Sequence, residues 1–385
     1  MTVPPPPREP SRLAQLPGAV LSTGLDQGVA AHYGASLREQ RRMETGRAVV
    51  DLSHLDILEI AGADRLTWLH AITSQHLVGC VPGNSTELLV LSPQGRIEHA
   101  AAVIVGETSL MLVVDPGRSG PLLEFFDRMR FAARVQITVR DDLAAVGSQV
   151  PWPKLSLHSQ PECSQLADNS SAQTVHAPVA VWTDPWPGIS DGGIAYGPEP
   201  EDASAWHLSL LPRSAWVDAI GPAWHRADGL AGLLAAEARR IAAHRPRFLY
   251  EVDDRSIPHE LDWLRTAVHT AKGCYRGQET VAKVLNLGQP PRRLVMLHLD
   301  GGQETLPVHG DAVAFSGRAI GHVTSAAVHA DLGPIALALV RRAVPVDAPL
   351  TVQALAGDNA TVLDATQEPI VLPRDHGQRP PTAKL

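Results

Sequence analysis

The stretch after Pro290-Pro291 constrains this chain most. Its apolar residues come in short runs, at 294–299, 312–315, 319–324 and 335–340. Turn text such as Asp300-Gly301-Gly302 and His309-Gly310-Asp311 separates them. Several short strands cut by glycine turns predict a small all-β barrel or sandwich.

The text before Pro290 is mixed. Partial apolar alternation over 57–60 predicts a strand, and Gly62-Ala63-Asp64 ends it with Asp64 as a helix N-cap. Further strands are expected at 87–91, 100–105, 110–114 and 135–139, with helices over 122–130 and 229–243. Between about 151 and 205, prolines and Ser, Asp and Gly interrupt every pattern, which predicts a long surface loop with short strands near Val179 and Trp206. Residues 1–12 read as a stiff Pro-rich tail, 290–366 as the barrel, and 367–385 as a disordered tail. The fold class is therefore α+β.

Composition narrows function. At 385 residues and 44% hydrophobic content, two or three domains of roughly 100–200 residues are expected. A formal charge of −8 argues against sequence-independent nucleic-acid binding, and no apolar run is long enough to span a membrane. The start of the chain lacks the basic and apolar parts of a signal peptide. The three cysteines, Cys80, Cys163 and Cys274, are too few and too scattered for a disulfide framework, so a cytoplasmic location is expected.

Chemistry concentrates in Lys272-Gly273-Cys274-Tyr275-Arg276-Gly277-Gln278-Glu279-Thr280. Positive charge at Lys272 and Arg276 would favour a thiolate at Cys274. Gly273 and Gly277 permit close approach or positive φ, and Gln278 and Glu279 offer directional hydrogen bonds. Local chemistry leaves a second reading open, in which Cys274 is a small filler in a turn.

This stretch resembles the signature of the YgfZ family, relatives of the glycine-cleavage aminomethyltransferase. Asp51-Leu52-Ser53, Gly62-Ala63-Asp64, Leu91-Ser92-Pro93-Gln94-Gly95-Arg96-Ile97 and Ile257-Pro258-His259-Glu260 are similar to further family segments, together covering roughly 45–345. Leu287-Gly288-Gln289-Pro290-Pro291-Arg292-Arg293 looks like an actinobacterial-type branch. The resemblance implies an aminomethyltransferase-like folate-binding fold, two α+β lobes (13–289) plus a small C-terminal β-barrel around a central hole. It implies tetrahydrofolate or a derivative as the cofactor. Cys274 would be the functional thiol, in a folate-binding accessory protein for iron–sulfur cluster assembly or repair. The expected partners are a reduced folate and iron–sulfur enzymes, such as tRNA-modifying ones, or cluster carriers, with no membrane and no direct nucleic-acid contact. Asp51, Glu98, Arg240, Glu260, Lys272, Tyr275, Gly277, Gln278, Glu279 and Lys283 are the candidate cofactor contacts. Arg292 and Arg293 are further candidates for the anionic end of the ligand. No metal ligands are expected.

Three departures bear on activity. Glu98-His99 stands where aminomethyltransferases carry an acidic pair, Ala242 and His244 replace a glutamate and a glycine, and Lys283 stands where Arg is common. Two alternatives stay open: a folate-dependent one-carbon transferase, and a non-catalytic interaction protein with a relic pocket.

Overall fold

A computed structural model describes residues 9–152, 177–198, 205–226, 228–302, 305–356 and 359–373. Cys163, residues 1–8 of the Pro-rich tail, most of the 151–205 stretch and the end of the C-terminal tail lie outside these residues.

The chain enters through a two-stranded ribbon, β1 (Val20–Leu21) and β2 (Ala30–His32), followed by helix α1 (Ser36–Glu44). Two five-stranded sheets then form. One contains β3 (Val49–Asp51), β9 (Leu143–Ser148), β10 (Ala180–Thr183), β11 (His207–Pro212) and β12 (Leu230–Ala231), in the order β10-β11-β9-β3-β12. The other contains β4 (Asp56–Ala61), β5 (Ser85–Leu91), β6 (Ile97–Val105), β7 (Ser109–Val114) and β8 (Gln136–Val139), in the order β5-β6-β7-β4-β8.

Strand periodicity decides what each face buries, because successive side chains point to opposite sides. On β7, Leu110, Leu112 and Val114 pack with Phe125 and Phe126 of α3 (Ser119–Met129) and with Trp68 and Leu69 of α2 (Arg65–Ile72). Met111 and Val113, on the opposite face, meet Val50, Leu143, Ala145, Leu208 and Leu210 of the other sheet. That sheet turns Val49, Ala144, Val146 and Leu211 outward onto Trp216 and Trp224, in a π-helical turn (Ser214–Ile220) and helix α4 (Gly221–Arg226). Each leucine, valine, methionine and phenylalanine among these contributes roughly 1.5–3 kcal/mol on leaving water, and each alanine less. Both sheets are thus covered on both faces.

Helix α5 (Leu233–Ala242) crosses behind the facing sheets and packs on α1. It is shorter than the 229–243 span expected, because Leu230 and Ala231 pair in parallel with Val49 and Val50 before the helix starts. Asp64 stands at the N-cap of α2 as expected. Its carboxylate, however, accepts from the Arg134 backbone and guanidinium rather than from the helix.

The last elements are α6 (Phe248–Glu251), α7 (Gln278–Leu287) and a closed six-stranded barrel. The barrel strands are β13 (Arg292–Leu299), β14 (Ala312–Phe315), β15 (Arg318–His329), β16 (Gly333–Arg341), β17 (Leu350–Ala356) and β18 (Asn359–Pro369), in the order β13-β16-β15-β14-β17-β18. Val295, Leu297, Ala336, Ala338 and Val340 fill its interior, whereas Leu294, Met296, Ile335, Leu337 and Leu339 face Ile241, Leu261, Leu264 and Val281. This matches the barrel expected after Pro290. One boundary needs correction. The tail expected from Gln367 begins inside β18, where Gln367 is buried, accepts from Arg293 and donates to the carbonyls of Pro345 and Ala348. Polar text concealed a strand because its polar groups find partners within the barrel.

Candidate functional site

Two places carry chemistry. The first is the loop from His269 to Gly277. Gly277 takes φ +83° at the N-cap of α7, and a Cβ there would lie 2.5 Å from the Ser92 carbonyl oxygen. Only glycine satisfies both conditions. The thiol motif therefore rests on the Ser92–Gly95 turn, so two of the sequence segments meet in space. Tyr275 is buried against Leu89, Leu91 and Ile97, and Gln278 donates to the Lys272 carbonyl. Cys274 is exposed.

The charges flanking Cys274 are engaged elsewhere. The Lys272 ammonium donates to the carbonyl oxygens of Thr73 at 2.7 Å, Gln75 at 3.0 Å and His70. These three bonds use all three of its donors, and burial pulls its pKa down to about 8. Arg276 pairs with Glu98 at 2.6 Å and lies over the Phe125 ring. The expectation that both cations serve the thiolate is thus corrected: they hold the loop in place.

The second place is an open-mouthed cavity of ≈ 190 Å³ between the two sheets. Ala100, Ala101 and Ala102 of β6 and Val113 of β7 form one wall, and Leu52, Trp182, Trp206 and Leu208 form the other. Glu237 and Arg240 of α5, and the following segment from Arg245 to Phe248, close the back. Alanines on β6 leave the width, and the tryptophans supply flat apolar surface.

The polar groups of the cavity form paired networks. Arg245 binds Glu87 at 2.6 Å and Asp184 at 3.1 Å, and Thr266 donates to Glu87. Burial, only partly offset by Arg245, raises the Glu87 pKa. Arg247 joins Asp26 at 2.6 Å, Asp115 at 2.5 Å and Glu237 at 3.4 Å. Burial would raise the Asp26 carboxyl, but Arg247 and His54 overcome it and hold it well below the usual range. Arg240 links Glu237 to Glu251, which also accepts from Thr324 and Ser325 of the barrel. Opposite charges this close inside a protein fix one another firmly, so the cavity wall is rigid before any ligand arrives.

Of the candidate contacts, Arg240 lines this cavity, and Asp51, Glu98, Glu260, Lys272, Tyr275, Gly277, Gln278, Glu279 and Lys283 do not. Asp51 is buried, accepting from Ser53 N and Trp216 Nε1. Glu260 is fully buried and binds Arg292 at 2.8 Å, while Arg292 also binds Asp253. Glu279 and Lys283 are exposed on α7. Cys274 likewise stands outside the lining. His99 is buried beside Phe125, with Arg118 Nη2 3.5 Å from Nδ1. Burial, then Arg118, Arg128 and Arg276, lower its pKa to about 3, so it stands neutral.

Sequence reading missed Trp182, Trp206, Glu237, Arg245, Arg247, Asp115 and Glu87. Only the run Arg245-Pro246-Arg247-Phe248 carried a signal, lying just beyond the altered His244. The others sit singly on strands or helices and meet only when the sheets close. Among the described residues, no helix is long and apolar enough to cross a membrane.

The fold is of aminomethyltransferase-like architecture. Residues 292–369 match the family model described as the glycine cleavage T-protein C-terminal barrel domain. A chloroplastic protein of Arabidopsis thaliana described as a transferase is 25% identical over 316 residues, spanning 78% of this chain and 66% of that protein. An aminomethyltransferase of Rippkaea orientalis is 25% identical over 342 residues, 84% of this chain and 86% of the relative. The crystal structure of the glycine cleavage system aminomethyltransferase T from Bartonella henselae superposes with a TM-score of 0.68. It shares 18% identity and covers 94% of this chain and 97% of that one. These similarities support placement in the glycine-cleavage T-protein-like superfamily.

Proposed function

We propose that the chain binds a reduced folate in the cavity between its sheets. On this reading it acts as an accessory protein in iron–sulfur cluster assembly or repair, with Cys274 as its functional thiol. The observation that carries the folate reading is the cavity. A flat bicyclic head with several N–H donors suits the gap between the alanine wall and Trp182 and Trp206, with Glu237 and Asp115 as acceptors. Their carboxylates keep lone pairs beyond those used by Arg240 and Arg247. The resemblance of the Lys272–Thr280 stretch supports the accessory role. The exposed position of Cys274 suits exchange with a partner, since a cluster generally needs about four protein ligands and one cysteine cannot hold it alone.

A one-carbon transferase remains the second reading, favoured by the aminomethyltransferase similarities. Against it, His99 is buried and does not line the cavity, and Glu98 is paired with Arg276.

Anaerobic calorimetric titration with tetrahydrofolate tests the binding claim on wild type, Cys274→Ala and Glu237→Ala. Saturable binding that survives loss of the thiol and weakens without Glu237 is expected. No binding to wild type would overturn it. The accessory role is tested in cells lacking the protein: Cys274→Ala should fail to restore iron–sulfur enzyme activities, and full restoration would remove the thiol from the function. Turnover of tetrahydrofolate with an amine donor would move the transferase reading to first place.

A further inference from the structure

We propose that His70, His76 and His269 form an acid-sensitive latch on the loop that carries Cys274. Protons taken up by these rings loosen that loop, whatever fills the cavity between the sheets. The ring centroids of His70 and His76 lie 4.8 Å apart, and those of His76 and His269 lie 5.0 Å apart. His70 and His76 belong to α2 and the segment after it, and His269 opens the cysteine loop.

These two segments are stitched along one seam. His269 N donates to the Ser74 carbonyl at 3.0 Å, and Ser74 Oγ donates to the Ala267 carbonyl at 2.5 Å. Gln75 Nε2 donates to the Thr266 carbonyl at 2.8 Å. Lys272 Nζ closes the seam on the carbonyls of His70, Thr73 and Gln75. Three imidazoles and an ammonium therefore share one place, which holds only while the rings are neutral.

Each observation sets the closed seam against the imidazolium form. His70 Nδ1 accepts from the Leu77 backbone N–H at 3.4 Å, and a proton on that nitrogen would abolish the bond. Burial, then Lys272, His76 and His269, lower the His70 pKa. His269 Nδ1 is buried with no partner among the described residues, so a cation there would carry an unsatisfied N–H. Its ring lies against Gly192, where an added Cβ would come within 2.5 Å of it, which leaves little room to move aside. The neighbouring groups do not cancel the charge. Asp191 Oδ2 is 3.8 Å from His269 Nε2 but fully exposed, and solvent screens it. Burial pushes the Cys80 and Tyr275 pKa values up, so both stay neutral. No three His, Cys, Asp or Glu side chains among the described residues are placed to hold one metal ion, so the proton is the ligand this cluster takes. Imidazole ordinarily changes charge between about pH 5 and 8. The open loop binds more protons than the closed one, and its population rises as pH falls.

The test uses the full-length chain with Cys80→Ser and Cys163→Ser and a disulfide-linked nitroxide on Cys274, which does not titrate. Spin-label mobility is followed by electron paramagnetic resonance from about pH 7.5 to about pH 5, with circular dichroism alongside. The mobile fraction should rise about threefold or more while the dichroism stays constant. His76 is exposed and lies between the other two rings, so His76→Gln should fold normally. It should move the midpoint down by about half a pH unit or more, since it removes one like charge. Lys272→Met should leave the label mobile already at about pH 7.5, if the ammonium closes the seam. A label equally immobile at both ends of the range would overturn the proposal. So would an identical midpoint in His76→Gln, an immobile label in Lys272→Met, or a dichroism change in step with the label, which marks global acid unfolding.

Discussion

Lys272 Nζ lies 2.7 Å from the Thr73 carbonyl oxygen, which ties the cysteine loop to the segment after α2 across nearly two hundred residues. With Gln75 and His70 as the other acceptors, one side chain satisfies three main-chain carbonyls. Replacing it by methionine keeps most of the stem and removes every donor. Lys272→Met should lower stability by about 2–3 kcal/mol, at roughly 1 kcal/mol per lost hydrogen bond. Urea unfolding checks this, and a loss below about 0.5 kcal/mol would show that water replaces the ammonium without cost.

Acid should weaken the protein through His99. Its folded pKa of about 3 lies below the ordinary 6.5, because burial and then Arg118, Arg128 and Arg276 disfavour the cation. Between those two values the unfolded chain binds the proton and the folded chain does not, so stability rises with pH through that window. Acidification from about pH 7 to about pH 5 should cost about 2 kcal/mol from this residue. His99→Gln retains an acceptor for Arg118 and removes the titration. Its stability should fall less steeply over the same interval, and parallel profiles for the two proteins would count against the assignment.

Gly147 and Trp206 are coupled. A Cβ at Gly147 would run into the Trp206 indole and the Leu52 side chain, both of which line the cavity between the sheets. Gly147→Ala should therefore destabilise by about 1–3 kcal/mol through overpacking. It should also weaken tetrahydrofolate binding, by pushing the indole into the ligand space. Trp206→Ala removes the flat surface without the clash and should lower affinity about tenfold, taking aromatic stacking at 0.5–1.5 kcal/mol beyond area burial. Calorimetry on both variants separates the effects; unchanged affinity in both would place the ligand elsewhere.

Phe131 is strained without visible return. It follows α3 with φ 42° and is 85% exposed, so its ring gains little from packing. Helix ends in the left-handed region favour glycine, and an L-residue there costs roughly 1–2 kcal/mol. Phe131→Gly should raise stability by about 1 kcal/mol, less some added freedom of the unfolded chain. A lower transition temperature would show that the phenylalanine makes a stabilising contact after all.

Much of the architecture was legible from residue order. Short apolar runs after Pro290 predicted the barrel because strand alternation and turn glycines are local properties. The motif around Cys274 was legible for the same reason, and Gly277 does adopt the positive φ its residue type permits. The missing strand end at Gln367 shows the limit. A polar residue reads as solvated until a partner such as Arg293 is brought to it.

The sequence alone determined the class of fold, the position of its one dense motif and the segments that would surround it. Tertiary structure alone decided which charges are available. Lys272, Arg276 and Glu260 look free along the chain, yet each is committed to a partner far away in sequence or on another element. Conversely, Trp182, Glu237 and Arg247 carry no local pattern, and they line one cavity because two sheets and a helix converge on it. Electrostatic and packing energies depend on distance in space, and only folding sets those distances.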